Sequence, residues 1–136
     1  MNEITADISI RYSEISANGF VHHTCYHDWY DQIQFDFLSK NGYSVTELNA
    51  KGINFMPIDC MNHYYHPIRI TDHVKVIMKI RSLTNIKINA EFTIFANDVK
   101  AADCRMTYAC LNKDMKPLVI SKACPDIYNT LKGFTD

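Results

Sequence analysis

Three stretches of this chain alternate polar and apolar residues so regularly that they commit its second half to an antiparallel sheet with one covered face. From Asp72 to Arg81 the apolar positions are Val74, Val76, Met78 and Ile80. From Asn85 to Phe95 they are Ile86, Ile88, Ala90, Phe92 and Ile94, and further on Ala102, Cys104, Met106, Tyr108 and Cys110 repeat the pattern. A period of two places each set on one side of a strand. Thr84-Asn85 and Asn97-Asp98 read as the tight joints between them.

A sheet with one apolar face needs a cover, and one helix supplies it. From Thr24 to Asn41, Tyr26, Trp29, Tyr30, Ile33 and Phe37 recur at three and four residues. That is one helical face, and core packing explains its aromatic stripe better than a cofactor box. Thr24 is the expected N-cap, and Lys40-Asn41-Gly42 the expected ending. Ahead of the helix, Thr5 to Ser13 alternates Ile8, Ile10 and Tyr12 against Ser9, Arg11 and Ser13, which predicts a first strand. A Gly-bearing loop, Ser16–Gly19, follows. Tyr43–Lys51 reads as a connection with a short helical turn, and Gly52–Tyr65 as a long extended stretch, with Pro67 marking an edge or bend. Lys113-Asp114 is a turn, Leu118–Ile120 a short apolar piece and Pro125–Leu131 a terminal helix. Residues 1–136 therefore form one α+β domain, a long helix wrapped by a curved antiparallel sheet of five or six strands.

Composition closes off several functions. The chain has 136 residues with a net charge of -1, which gives no electrostatic case for nucleic acid or an anionic membrane. No apolar run is long enough to span a bilayer, and the N-terminus lacks a secretory signal, so a cytoplasmic location is expected. The five cysteines form no CxxC pair, and most are expected as buried thiols.

Residues able to hold or move a proton crowd the corner from Arg11 to Tyr30: Glu14, Ser16, Asn18, His22 and His23. A strand leading through a Gly loop onto a helix start aims backbone N–H groups at an anion or a polarised carbonyl. Glu14 is a candidate base if the strand pleat turns it inward, Ser16 and Asn18 are candidates to hold a water, and Gly19 permits close approach. His23, His27 and Asp31 line up on the helix at metal-ligand spacing. Thr24 follows His23, however, where a helical metalloprotease motif carries glutamate, so no metal site and no cofactor are expected. His63 and His66 flank Tyr64-Tyr65; His63 shares a strand face with Tyr65 and His66 with Tyr64, and they read as edge or interface residues, with one pair reaching a partner subunit's site as the alternative.

These residues carry a resemblance. Glu14-Ile15-Ser16-Ala17-Asn18-Gly19-Phe20-Val21-His22-His23-Thr24-Cys25-Tyr26, followed by Trp29-Tyr30-Asp31 on the helix, resembles the loop and helix of the 4-hydroxybenzoyl-CoA thioesterase-like branch of the hotdog-fold acyl thioesterases. Tyr64-Tyr65-His66-Pro67 leading to Asp72 is similar to a second feature of that family. The resemblance implies hydrolysis of an acyl thioester carried on coenzyme A or an acyl carrier protein. It also implies a homodimer or homotetramer with its sites at subunit interfaces. It places the oxyanion donors at Gly19–Val21 and the helix start, with Phe20, Val21, His22, His23 and Tyr26 beside the substrate. Ser16 stands where the family's usual catalytic aspartate precedes the Ala-x-Gly segment, and Gln34 where an arginine is frequent. The thioesterases of enediyne polyketide pathways also lack that aspartate and keep a glutamate two residues earlier, the relation Glu14 bears to Ser16. Asp31 is the second candidate for an acid or base. A hotdog dehydratase or isomerase, working through histidine and a carboxylate, and a non-catalytic acyl-binding protein are the alternatives.

Overall fold

The computed structural model describes residues 3–135. Five strands make one antiparallel sheet: β1 (Glu3–Ile8), β2 (Asn54–Tyr64), β3 (Val74–Leu83), β4 (Lys87–Ala96) and β5 (Val99–Leu111). Their order across the sheet is β1-β3-β4-β5-β2, so β1 and β2 are the edges. The helices are α1 (Cys25–Lys40), α2 (Val45–Ala50), α3 (Ile120–Ala123) and α4 (Pro125–Gly133). This is the α+β hotdog arrangement expected from the sequence, a single long helix laid on a five-stranded sheet. No helix among the described residues is long and apolar enough to cross a membrane.

The alternating positions face α1 as predicted. Val74, Val76, Met78 and Ile80 of β3, Ile88, Ala90, Phe92 and Ile94 of β4, and Ala102, Cys104, Met106, Tyr108 and Cys110 of β5 are all buried. Ile86 departs from the pattern: it precedes β4, in the joint, and is 37% exposed. From the helix, Tyr26, Trp29, Tyr30, Ile33 and Phe37 are buried against this face. The Tyr30 ring stacks on Phe92 with centroids 4.6 Å apart, joining helix to sheet at its centre. The helix ends as predicted: Gly42 takes φ +85°, and Tyr43 N–H reaches back to the Leu38 carbonyl at 2.8 Å. Thr24 occupies the N-cap position but makes no side-chain cap bond.

One local expectation is corrected. β1 stops at Ile8, and the chain does not continue as a strand to Ser13. Tyr12–Glu14 winds into a 3-10 turn instead, with Tyr12 84% exposed and Glu14 buried. At the end of the apolar piece Leu118–Ile120, Ile120 opens α3. Cys60 on β2 is exposed, whereas Cys104, Cys110 and Cys124 are buried and Cys25 is half-buried. The long extended stretch is β2, an edge strand that carries Pro57 beside an irregularity in its pairing with β5.

Candidate active site

The corner at the start of α1 is built on a buried carboxylate. Glu14 is 4% exposed, the one buried charged side chain among the described residues. One oxygen accepts the Arg11 backbone N–H at 2.7 Å, and the other accepts Nε1–H of Trp29 at 3.1 Å. The Glu14 carbonyl accepts the His22 N–H at 2.9 Å. The chain between these points folds back on itself. Ser16 N–H donates to the Phe20 carbonyl at 2.7 Å, and Gly19 N–H donates to the Ser16 carbonyl at 3.0 Å. Gly19 sits at φ +88°, the left-handed region that glycine enters at least cost. Val21 N–H then ties the loop to the Ile68 carbonyl at 2.8 Å.

This folding presents the loop to a cleft of about 550 Å³. Ser16, Asn18, Phe20, Val21, His22, His23 and Tyr26 form one wall. Tyr64, Tyr65, His66 and Pro67, where β2 ends and the chain bends, form the other. The walls meet through aromatic rings: His23 packs edge-on to Tyr64 at 5.5 Å, and Tyr26 lies 6.0 Å from the same ring. Burial pushes both the Tyr26 and Tyr64 phenols above the ordinary tyrosine range, so each is a neutral O–H donor at neutral pH. The Ser16 hydroxyl donates to Oδ1 of Asn18, which leaves the Asn18 amide hydrogens and the Ser16 lone pairs for a ligand. Outside the cleft, Tyr65 O–H donates to Asp103 at 3.0 Å, and Lys100 Nζ lies 2.8 Å from the same carboxylate. That network braces the second wall.

Seven of the nine residues named from the sequence thus meet in one cleft. Gly19 shapes the loop without lining it. Glu14 does not line it either. Its carboxylate lies inside the fold with both oxygens engaged, so the direct base role expected for it does not fit this geometry. The oxyanion donors are also redistributed. Gly19 and Val21 spend their N–H groups inside the fold, while those of Phe20, His23 and Thr24 make no hydrogen bond among the described residues. Asp31 faces a separate pocket of about 270 Å³ beside Gln34 and Asn54. Burial and then the neighbouring Asp28 raise its carboxyl pKa. Gln34, in the place of the family's arginine, bonds to the Tyr108 hydroxyl. From the sequence, His63, His66 and the tyrosines between them read as edge or interface residues, whereas Tyr64 to Pro67 line the cleft. The Tyr-x-x-Pro motif was its signal, but strand alternation split those residues between two faces, and the bend after Tyr64 reunites them.

The profile of the thioesterase-like superfamily matches residues 10–125, which span the loop, α1 and all four later strands. The chain belongs to the thioesterase-like superfamily. A putative esterase of Aquifex aeolicus is 22% identical over 113 residues, covering 83% of this chain and 88% of that protein. Among solved structures, the DHNA-CoA thioesterase of Staphylococcus aureus superposes with a TM-score of 0.89 at 22% identity, covering 96% of this chain and 89% of that one. A 1,4-dihydroxy-2-naphthoyl-CoA thioesterase of Synechocystis superposes with a TM-score of 0.84 at 11% identity, covering 96% and 98%. In this thioesterase-like chain the cleft lies within the matched segment, on the loop that precedes the long helix.

Proposed function

We propose that the chain hydrolyses an acyl thioester held in the cleft at the start of α1. One observation carries the reading. In a chain of this superfamily, the loop's polar side chains, the residues leading into α1 and an aromatic wall line one cavity. A thioester has a good leaving group, so hydrolysis needs a polarised carbonyl and a placed water more than a strong base. The Phe20, His23 and Thr24 N–H groups are donors for the developing oxyanion, and the α1 dipole adds to them. The Asn18 amide and the Ser16 hydroxyl hold the water. As it attacks the carbonyl carbon, a cleft imidazole, His22 or His23, takes its proton. The C–S bond breaks, and the thiolate leaves and recovers that proton. Val21 and Tyr26 flank the acyl group.

Glu14 supports this chemistry as a positioning residue, because it holds the loop and Trp29 together. Ser16 in place of aspartate keeps the proposal close to the aspartate-less thioesterases. The histidines of the cleft stand among tyrosines and amides, which favours hydrolysis over a dehydratase's histidine–carboxylate pair.

Coenzyme A is the preferred carrier. The named thioesterases with this fold act on CoA esters, and an acyl carrier protein is the second candidate. We also propose a cytoplasmic homodimer or homotetramer. β2 leaves one backbone edge unpaired and exposes Ile58 and Met61 at 51% and 58%, the kind of edge that a second copy covers.

Thiol release from a panel of acyl-CoA and acyl-carrier-protein thioesters, read with a thiol-reactive dye, tests the reading. Asn18→Ala and Ser16→Ala are each expected to lower kcat by roughly tenfold, about 1.4 kcal/mol, with little change in fold stability. Turnover on the carrier-bound esters alone would reassign the substrate. A folded protein without turnover on any thioester would end the hydrolase reading.

A further inference from the structure

The cleft is short of negative charge. The chain carries a net charge of -1, yet among the described residues that line the cleft none is an aspartate or a glutamate. Three are histidines, His22, His23 and His66. Arg69 stands at the rim. Its guanidinium lies over the Phe20 ring, 4.8 Å from the centroid, and Phe20 is a cleft residue. The backbone fixes this meeting. Phe20 and Arg69 pair in an isolated antiparallel bridge, and Val21 N–H donates to the Ile68 carbonyl at 2.8 Å. The segment is pinned again by Asp72, whose carboxylate accepts the Arg69 backbone N–H at 2.9 Å and the Asn97 side-chain amide at 2.9 Å. Arg69 is exposed, and among the described residues no carboxylate lies within ion-pair distance of its guanidinium. It belongs to the connection from β2 to β3, and nothing in this contact depends on the β2 edge.

We propose that Arg69 binds a phosphate of the substrate's carrier and so selects carrier-bound thioesters over phosphate-free ones, an inference that rests on the thioesterase reading of the cleft. A cleft of about 550 Å³ holds an acyl group and part of its arm. Coenzyme A is larger, so its phosphates lie outside, at the rim. A phosphate needs what Arg69 offers there, a permanently charged fork of N–H donors with no carboxylate already on it. The Phe20 ring holds the head group in place without neutralising it, as a carboxylate would. The missing carboxylates matter as well, because a like charge beside the path would repel the incoming anion. The chemistry recognised is a phosphate on a pantetheine arm. In coenzyme A that phosphate belongs to the nucleotide end; on a carrier protein it is the phosphodiester that joins the arm to the protein.

Three esters of one acyl group separate these cases: acyl-CoA, acyl-phosphopantetheine and acyl-pantetheine, hydrolysed by the wild type, Arg69→Gln and Arg69→Lys. Circular dichroism confirms that each variant is folded. Arg69→Gln should raise KM for acyl-CoA by roughly tenfold, the low end for a charge-assisted bond at an exposed site, and leave KM for the phosphate-free acyl-pantetheine unchanged. Arg69→Lys keeps the charge and should recover part of the loss. The same rise on acyl-phosphopantetheine would place the contact on the phosphate that both carriers share, and a rise on acyl-CoA alone would place it on the nucleotide. An equal rise on acyl-pantetheine would overturn the proposal, since Arg69 would then act by holding Phe20; so would an unchanged KM for acyl-CoA. Calorimetric binding of coenzyme A needs no turnover, and it separates this inference from the hydrolase reading. Weaker binding to Arg69→Gln, in a protein that hydrolyses no thioester, would sink hydrolysis and keep the phosphate site. Coenzyme A bound equally by wild type and variant, or by neither, would end it.

Discussion

Glu14→Ala is expected to lower the unfolding free energy by about 3 kcal/mol and Tm by roughly 10 °C. The side chain is buried with an oxygen on the Arg11 N–H and an oxygen on the Trp29 indole N–H. Removing it leaves the buried Trp29 N–H and the part-buried Arg11 N–H without an acceptor and opens a void beneath α1. Glu14→Gln should cost less, because the amide keeps one acceptor while its NH₂ group meets a donor. Arg11→Ala should cost little. Its guanidinium is 73% exposed and its Nε stands 4.0 Å from the carboxylate, the geometry of a weak surface pair. Urea unfolding of the three variants gives the ranking. A Glu14→Ala protein as stable as the wild type would show that the carboxylate is not an anchor, and would return it to the candidates for direct chemistry.

Phe92→Ala should cost about 4 kcal/mol. Phe92 is fully buried and carries the Tyr30 ring at 4.6 Å. Truncation removes the contact that seats the helix on the centre of the sheet, and an edge strand cannot collapse into a hole at that depth. Among the described residues the Tyr30 hydroxyl has no hydrogen-bond partner, so this contact rests on ring packing alone. Calorimetry should show the loss as a lower Tm with the cooperative transition retained. A loss below about 1 kcal/mol would mean that the helix is held chiefly elsewhere.

The parts of the fold that were legible in the sequence are those where one face is buried and the other is not. Val74 to Ile80 and Ile88 to Ile94 alternate because β3 and β4 lie inside the sheet under α1. The aromatic stripe of α1 is legible for the same reason at a different period. β2 gave only an extended stretch without alternation, because an edge strand exposes both faces along much of its length. The turn at Tyr12–Glu14 was hidden. Ile8, Ile10 and Tyr12 continue a strand's rhythm, and what ends it is a bond from Glu14 to Trp29, fifteen residues later. A local pattern does not encode a long-range partner. The cleft was half legible: its loop wall came from the crowding of polar residues, while its second wall depended on a bend that period-two reasoning cannot contain.

Folding order follows from strand order. β3, β4 and β5 are neighbours both in sequence and in space, and the joint between β4 and β5 is closed by Asn97 and Asp98 in left-handed conformations, φ 51° and 66°. Glu3 must instead find Lys79, and Asn54 must find Leu111, each across a long stretch of chain. Local contacts close at lower entropic cost and form sooner. Pulse-labelled hydrogen exchange should therefore protect the amides of β3 to β5 before those of β1 and α1, and the reverse order would contradict this. A chain caught between these stages has a three-stranded meander with Val76, Met78 and Phe92 bare to solvent and no cleft at all. The long aromatic helix then does for the folding chain what a chaperone does for others: it shields a sticky surface during the interval when aggregation competes with folding.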